Sequence, residues 1–436
     1  MKIAVIGSGI AGNAAAFSLI SGNSSNQIIV YERDLRPGGH SATIDIDYDG
    51  ARMSVDTGFI VYNEQNYPNL TALFDHLKVE TLPTDMSFSV SADRGRFEWC
   101  GRDGGEVVKG LFAQWTNVLS PSYLNMLVQI LRFQKHATAD LHAGRIGDVS
   151  LADYMARFKF MDRLRDDYLI PMGAAIWSTS PKKMLEFPAE SFLSFFDNHR
   201  LLQWDRPQWR TVTGGSRSYV EKITAHYRSH MRLGAAVVSV ERTPEGVEVI
   251  DSLGHRDMFD HVVIAAHAPD ALAMLQSPTP AEYEVLGGIR YSDNEVFLHR
   301  DARLMPKRKA AWAAWNFLRE GLDDDRKVAV SYWMNQLQTL DMTRPVFVTL
   351  NPPFEPDPNL VFGRYVYAHP QFDRTALQMR RRLPDIQGKD RIWYCGAWAG
   401  HGFHEDGLVA GLNVARALGG GVPWRRDSKA IGLAAE

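Results

Sequence analysis

Lys2-Ile3-Ala4-Val5-Ile6 is a short apolar, β-branched run that leads straight into Gly7-Ser8-Gly9-Ile10-Ala11-Gly12. Such a run reads as a strand of a parallel sheet, buried on both faces. Glycines at G-x-G-x-x-G spacing permit a tight turn and a close backbone approach to a pyrophosphate at the next helix N-terminus. Residues 13–20 begin with small side chains and supply that helix, which Gly22-Asn23 is expected to end in a left-handed cap. A second strand over residues 27–31 then delivers Glu32 about 20 residues after the loop, where an acid can hydrogen-bond ribose hydroxyls. Alone, the glycine spacing is an ordinary turn. With a strand before it, a helix after it and the acid at this offset, it marks a dinucleotide site.

The stretch from Glu32 onward chooses between NAD and FAD. Glu32-Arg33-Asp34-Leu35-Arg36-Pro37-Gly38-Gly39-His40-Ser41 resembles the acid-basic-to-Gly-Gly extension of FAD enzymes in the flavin amine oxidase and carotenoid desaturase superfamily. The resemblance implies FAD held by Gly7, Ser8, Gly9, Ala11, Gly12, Glu32, Arg33, Gly39, His40 and Ser41. A hairpin turning at Asp49-Gly50 leads into Thr57-Gly58-Phe59-Ile60, which in related flavoproteins runs beside the flavin ring; the residues alone also read as a strand bulge. In the same superfamily the position of Val238 lies near the adenine. Toward the C-terminus, a strand ends at Gly396 and Glu405-Asp406-Gly407-Leu408 opens a helix; the resemblance implies that its positive dipole end faces the flavin pyrimidine, as in the superfamily. Ala397 and Asp406 depart from the superfamily's usual Asp or Thr and Gly.

The bulk properties fit two joined domains in a soluble globular chain of 436 residues. A net charge of −3 argues against nucleic acid as a partner. Cys100 and Cys395 are far apart and form no metal-ligand pattern, so no metal is expected and a reducing cytoplasm is the simplest compartment. No signal peptide precedes Lys2, and no apolar run is long enough to span a bilayer. Attachment at the inner membrane face stays open.

The expected fold is α/β: a Rossmann-type FAD-binding domain with a parallel sheet, interleaved with an α+β substrate domain, amine-oxidase-like. Residues 1–85, 205–286 and 385–420 are assigned to the first, and 86–204 and 287–384 to the second. Residues 421–436 read as a peripheral tail. In the substrate domain, residues 111–115 and 121–133 read as helices. The second has a wide apolar face ending in Arg132 and Lys135. It reads first as a core helix, with a helix meeting lipid as the alternative. Residues 170–178 with Phe187, Phe192, Phe195 and Phe196 suit either a channel wall for a long hydrocarbon or an ordinary core. Arg380-Arg381-Arg382 reads as a solvated helix end.

Gly39-His40, Tyr67-Pro68-Asn69, Pro207-Gln208-Trp209, His267-Ala268-Pro269-Asp270, Thr349-Leu350-Asn351-Pro352-Pro353 and Gly402-Phe403-His404-Glu405-Asp406-Gly407 carry a narrower likeness. They resemble the FAD oxidoreductases associated with cyclopropane-fatty-acid synthases, a family that includes the flavin desaturase of furan fatty acid synthesis. That implies removal of two hydrogens from a methyl-branched unsaturated acyl chain, free or phospholipid-bound, to give a conjugated methyl-diene. A lipid methyltransferase is the implied partner. A base of near-neutral pKa would serve, and His404, His401 and Tyr62 are the candidates, each also readable as a structural hydrogen-bonder. Three other readings remain: an amine oxidase, with an aromatic cage and often a lysine-bound water; an acyl double-bond isomerase; and a non-catalytic partner of the methyltransferase.

Overall fold

The computed structural model of the chain describes residues 1–23, 25–102, 106–202, 207–321 and 328–424. The expected domain boundary at residue 205 and most of the tail, 425–436, lie outside these.

Strand β1 (Lys2–Ile6) and strand β2 (Gln27–Glu32) pair in parallel, joined through helix α1 (Ile10–Gly22). The sheet has five strands in the order Met231–Leu233, β2, β1, His261–Ile264, Ile392–Tyr394, all parallel. Ile3, Ala4 and Val5 are fully buried, as a central parallel strand requires. Helix α1 is buried along ten consecutive residues because the helix His404–Ala417 packs tightly across it. Glycine makes that approach feasible: a Cβ on Gly411 would stand 2.1 Å from the Ala11 carbonyl oxygen.

The end of α1 differs from expectation. Asn23 is extended (φ −151°), not left-handed. Gly22 is needed instead for closeness, since a Cβ there would meet the Gly421 nitrogen at 2.1 Å. The constraint is tertiary, so the local sequence could not display it.

Hairpin β3 (Thr43–Tyr48) and β4 (Ala51–Asp56) leads into β5 (Val61–Asn63) and helix α2 (Pro68–Leu77). Asp56, buried at the end of β4, locks three regions together. Its carboxylate accepts from the Thr43 hydroxyl (2.6 Å), the Ser216 amide and hydroxyl (2.8–3.0 Å) and the Gln338 side chain (3.1 Å). Burial nonetheless pushes its pKa up to about 6.

A second, seven-stranded sheet runs in the order Val361–Pro370, Tyr291–His299, Phe347–Leu350, Ala329–Trp333, Trp315–Arg319, Phe88–Ala92, Phe97–Gly101. All neighbours are antiparallel except Trp315–Arg319 beside Phe88–Ala92, the pair that joins two distant stretches of chain. The fold is therefore amine-oxidase-like: a parallel sheet beside an antiparallel-sheet domain.

Four places in the helical part of the second domain bear on the expectations. Residues 111–115 are not one helix; Val107–Leu111 is followed by a 3-10 turn over Trp115–Leu119. The long helix Pro121–His142 buries Tyr123, Met126, Phe133 and Ala137 but leaves Leu124, Val128 and Leu131 exposed, so its apolar face is only half used by the core. Phe187, Phe192 and Phe195 pack around Trp177 at ring distances of 5.1, 5.8 and 4.7 Å, forming core where a channel wall was the alternative. Arg380 turns inward over the Phe372 ring, with Nε and Nη1 buried and unpartnered among the described residues. Among those residues no helix is long and apolar enough to cross a membrane.

Candidate flavin site

Three segments far apart in sequence meet at the C-terminal end of β1. Gly7 has φ +98°, and a Cβ there would lie 2.5 Å from the Ala265 carbonyl oxygen; one on Gly12 would lie 1.9 Å from that of Gly7. These two glycines make the turn itself. Gly9 is different: a Cβ on it would meet nothing within 4 Å, so its open side suits a phosphate approaching the N-terminus of α1. Ala11 is buried against the C-terminal helix.

Glu32 ends β2 with Oε2 accepting from the Ser8 amide (3.0 Å) and hydroxyl (2.5 Å), and Oε1 from the Asp34 amide (3.0 Å). It thus ties the glycine loop to the next segment. Arg33 is exposed and lies 3.8 Å from Asp270. The amide of Gly38 reaches back to the Ser8 carbonyl, and Gly39 faces Gly9 so closely that a Cβ would be 3.2 Å from the Gly9 Cα. Val238, half exposed, sits at a register shift in the strand Val237–Arg242.

His40, Ser41, Thr57, Gly58, Phe59 and Ile60 form the middle of the site. The amide of Phe59 donates to the His40 carbonyl, and Gly58 must lack a side chain because a Cβ would strike that same oxygen at 2.2 Å. Thr57 shares a 2.6 Å hydrogen bond with the Tyr367 hydroxyl, bringing in the long strand Val361–Pro370. Ile60 is buried, and its carbonyl accepts from the Thr211 hydroxyl.

At the C-terminal helix the four opening residues have separate duties. Glu405 reaches across to α2, accepting from the Asn69 amide (2.9 Å), the Asn69 side chain (2.5 Å) and the Leu70 amide (2.9 Å). It caps a neighbouring helix N-terminus, where negative charge is favoured. Asp406 caps its own helix through the Phe403 amide (2.9 Å), and burial raises its pKa to about 6. Gly407 makes room for Ile10, and Leu408 is fully buried. Gly396 lies flat against the Trp398 indole, where a Cβ would come within 2.4 Å of Nε1.

The three base candidates each have contacts of their own. His404 stacks on Phe59 at 3.8 Å, and its Nε2 sits 3.0 Å from the Ser41 hydroxyl and 2.8 Å from that of Tyr219. Burial holds its pKa down to about 3. His401, near Phe195 and the Arg380 charge, is lowered to about 4, chiefly by burial. Tyr62 packs edge-on against Phe74 and Tyr67 in the FAD-domain core.

Another set of groups converges. His40 lies between Tyr367 (ring distance 5.1 Å), His369 (5.9 Å) and His267 (6.1 Å). Tyr365, Tyr367 and His369 alternate along one strand and so share a face. The His369 Nδ1 lies 3.0 Å from the hydroxyl of Ser178, a residue with φ +49° at the end of helix Ile170–Trp177. Burial, with the neighbouring histidines adding to it, lowers His40 to about 3 and His369 to about 4, so both are neutral at pH 7. Sequence reasoning missed Tyr365, Tyr367, His369 and Ser178. The period-2 polar pattern of Tyr365-Val366-Tyr367-Ala368-His369 was the available signal.

The residues fit FAD. The open side of Gly9 offers the pyrophosphate path, and His40 Nε2 is buried without a partner among the described residues, beside the strand that would flank the ring. The fold and site are those of an FAD-dependent oxidoreductase. Residues 10–297 match the family model described as flavin containing amine oxidoreductase, and the chain belongs to that family. No curated protein matches it. Among solved structures, it resembles putrescine oxidase bound to putrescine (14% identity, 96% of this chain and 99% of that one, TM-score 0.67). It is also similar to the CLA-producing fatty acid isomerase of P. acnes (14%, 95% and 98%, TM-score 0.65). Cyclohexylamine oxidase from Brevibacterium oxydans is comparable (15%, 96% and 98%, TM-score 0.66). At such identity the likeness is one of fold.

Proposed function

We propose that this FAD-dependent oxidoreductase removes two hydrogens from a methyl-branched unsaturated acyl chain, giving a conjugated methyl-diene. The observation that carries the reading is the uncharged face formed by Tyr365, Tyr367 and His369 opposite His40. His267 beside His369 is itself held below the usual histidine range by burial, and the cation that acts on His40, Tyr365 and Tyr367 is Arg36, whose charge also disfavours a protonated amine. Among the described residues no lysine is buried, which argues against the lysine-bound water of an amine oxidase. A neutral face suits a hydrocarbon segment better than a protonated amine.

Bound flavin would supply the hydride acceptor. His369 is neutral and held by Ser178, so it can take the proton from the other allylic carbon. The buried aromatic cluster around Trp177 keeps water from this side. Hydride leaves one allylic carbon and the proton leaves the allylic carbon on the other side of the double bond. The original π pair shifts toward the first carbon, and the electron pair of the second C–H bond forms the other double bond of the diene.

The fatty acid isomerase neighbour favours one second reading, double-bond migration with no net oxidation. Anaerobic mixing with a methylated, unsaturated phospholipid or its free acid separates the two. Bleaching of the visible flavin band together with diene absorbance supports desaturation. An unbleached flavin with a shifted double bond supports isomerisation. Bleaching by amines alone would overturn both.

A further inference from the structure

The apolar residues left exposed are not spread evenly. Of seventeen large hydrophobic side chains that stand exposed among the described residues, seven fall within residues 108–131: Val108, Trp115, Val118, Leu119, Leu124, Val128 and Leu131. Leu119, Trp115 and Val128 are 74%, 71% and 61% exposed. Leu124, Val128 and Leu131 recur at i, i+4 and i+7, forming one stripe along the long helix Pro121–His142. The 3-10 turn Trp115–Leu119 packs on the start of that helix and extends the stripe past its N-terminus. Clustered exposed apolar surface marks an interaction site, whereas scattered single residues do not.

Charge says what kind of surface it meets. From Val107 to Ala139 the sequence holds Lys109, Arg132 and Lys135 but not one carboxylate, in a chain whose net charge is −3. Lys109 is paired with Glu106 at 2.7 Å, so the positive charge of the stripe comes from Arg132 and Lys135. Arg132 bonds the Phe158 carbonyl, which brings exposed Lys159 to the same end of the stripe. Asp162, on the short helix that packs against the long one, is paired with Arg165 at 3.0 Å. An apolar stripe led by a tryptophan, with cations beside it and no anions along it, is complementary to an anionic bilayer surface.

We propose that residues 108–135 dock the protein on anionic phospholipid, with Trp115, Leu119 and Val128 entering the headgroup–acyl boundary and Arg132 and Lys135 meeting lipid phosphates. The docking stands on this surface alone and holds whichever substrate the flavin site takes.

The test is sedimentation of the flavin-loaded full chain with phosphatidylcholine vesicles, with and without about 30% phosphatidylglycerol. The wild type is expected to bind the anionic vesicles and to be released by high salt. Trp115→Ser/Leu119→Ser should weaken binding at least ~10-fold, and Lys135→Gln about 5-fold. Flavin spectrum and melting temperature should be unchanged, because these side chains are exposed. No binding to anionic vesicles, or equal binding by the double variant, overturns the docking. A wild-type dimer that the double variant splits, without vesicle binding, assigns the stripe to a second copy of the chain instead. Activity on detergent-dispersed substrate is read separately, so loss of docking and failure of the desaturase reading cannot be confused.

Discussion

The glycine loop and the histidine-lined strand lie across one site and are built on opposite principles. Around Gly7, Gly12, Gly58 and Gly411 the backbone is so close that a single carbon would collide with a carbonyl oxygen at 1.9–2.5 Å. Polar groups there are tied off, Glu32 by Ser8 and Asp34, Asp56 by Thr43, Ser216 and Gln338. Across the site, the His40 ring is left with an unpartnered buried nitrogen, and His40 and His369 are held neutral by burial among other histidines. Rigid, satisfied groups suit a cofactor that stays bound from one turnover to the next. Under-satisfied, neutral groups suit a partner that is bound, altered and released. His40 follows Gly39 directly in sequence, so the two kinds of surface meet at neighbouring residues.

The sharpest break would come at the loop. Gly12→Ala puts a carbon 1.9 Å from a backbone oxygen that cannot step aside, and the expected result is protein that does not accumulate folded with flavin. Gly9→Ala, which meets nothing within 4 Å, should fold at nearly normal stability yet bind FAD at least ~10-fold more weakly, since the new methyl stands where the backbone should approach the pyrophosphate. Flavin absorbance per protein and thermal melts check both. Equal retention of flavin by the two variants would erase the distinction.

Next comes the division among histidines. His369→Gln should retain flavin and lose about 10²- to 10⁴-fold in kcat, the range for removal of a general base. His404→Ala, which loses a stacked ring and two hydroxyl partners, should instead cost about 2–4 kcal/mol of stability by cavity and lost hydrogen bonding. Denaturant unfolding beside turnover reads the split. A His404 variant with normal stability and no turnover would return the base role to the C-terminal helix.

Glu405 offers a smaller test on the cofactor side. Glu405→Gln keeps the shape but removes the negative charge at the α2 N-terminus, and about 1–2 kcal/mol of stability should go with it. Chemical denaturation of the two proteins side by side measures it, and unchanged stability would deny the cap its charge.

The gentlest probe is pH. His40 and His404 are lowered to about 3, and His199, His299, His369 and His401 to about 4, all chiefly by burial. Below about pH 6.5 the unfolded chain binds these protons and the folded chain does not, so stability falls as pH drops from about 6.5 toward about 4. Asp56 and Asp406, raised to about 6, act oppositely over roughly pH 6 to 4, because the folded state then binds the extra proton. Six groups oppose two, so the melting temperature at pH 5 should lie below that at pH 7. A rise at pH 5 would contradict the burial of the histidines.

The range of the forces involved set how much was legible. The β1–loop–α1–β2 unit could be read from 32 consecutive residues because its strand, turn and helix preferences are local. Thr57-Gly58 and Glu405-Asp406-Gly407 were placed at the cofactor by family resemblance, and the fold brings their segments to the glycine loop. What those side chains do there was not legible. Glu405 spends its carboxylate on α2, and Gly22 serves close packing against Gly421, because both partners lie hundreds of residues away.

By itself the sequence determined the dinucleotide unit and the parallel-sheet half, since periodicity and glycine spacing are properties of neighbouring residues, and its resemblance to a family added FAD as cofactor. Only the tertiary structure decided which histidine faces which, which aromatic cluster is core and which apolar stripe is left outside. Burial is a property of the whole fold, and burial is what makes a histidine neutral or leaves a leucine exposed.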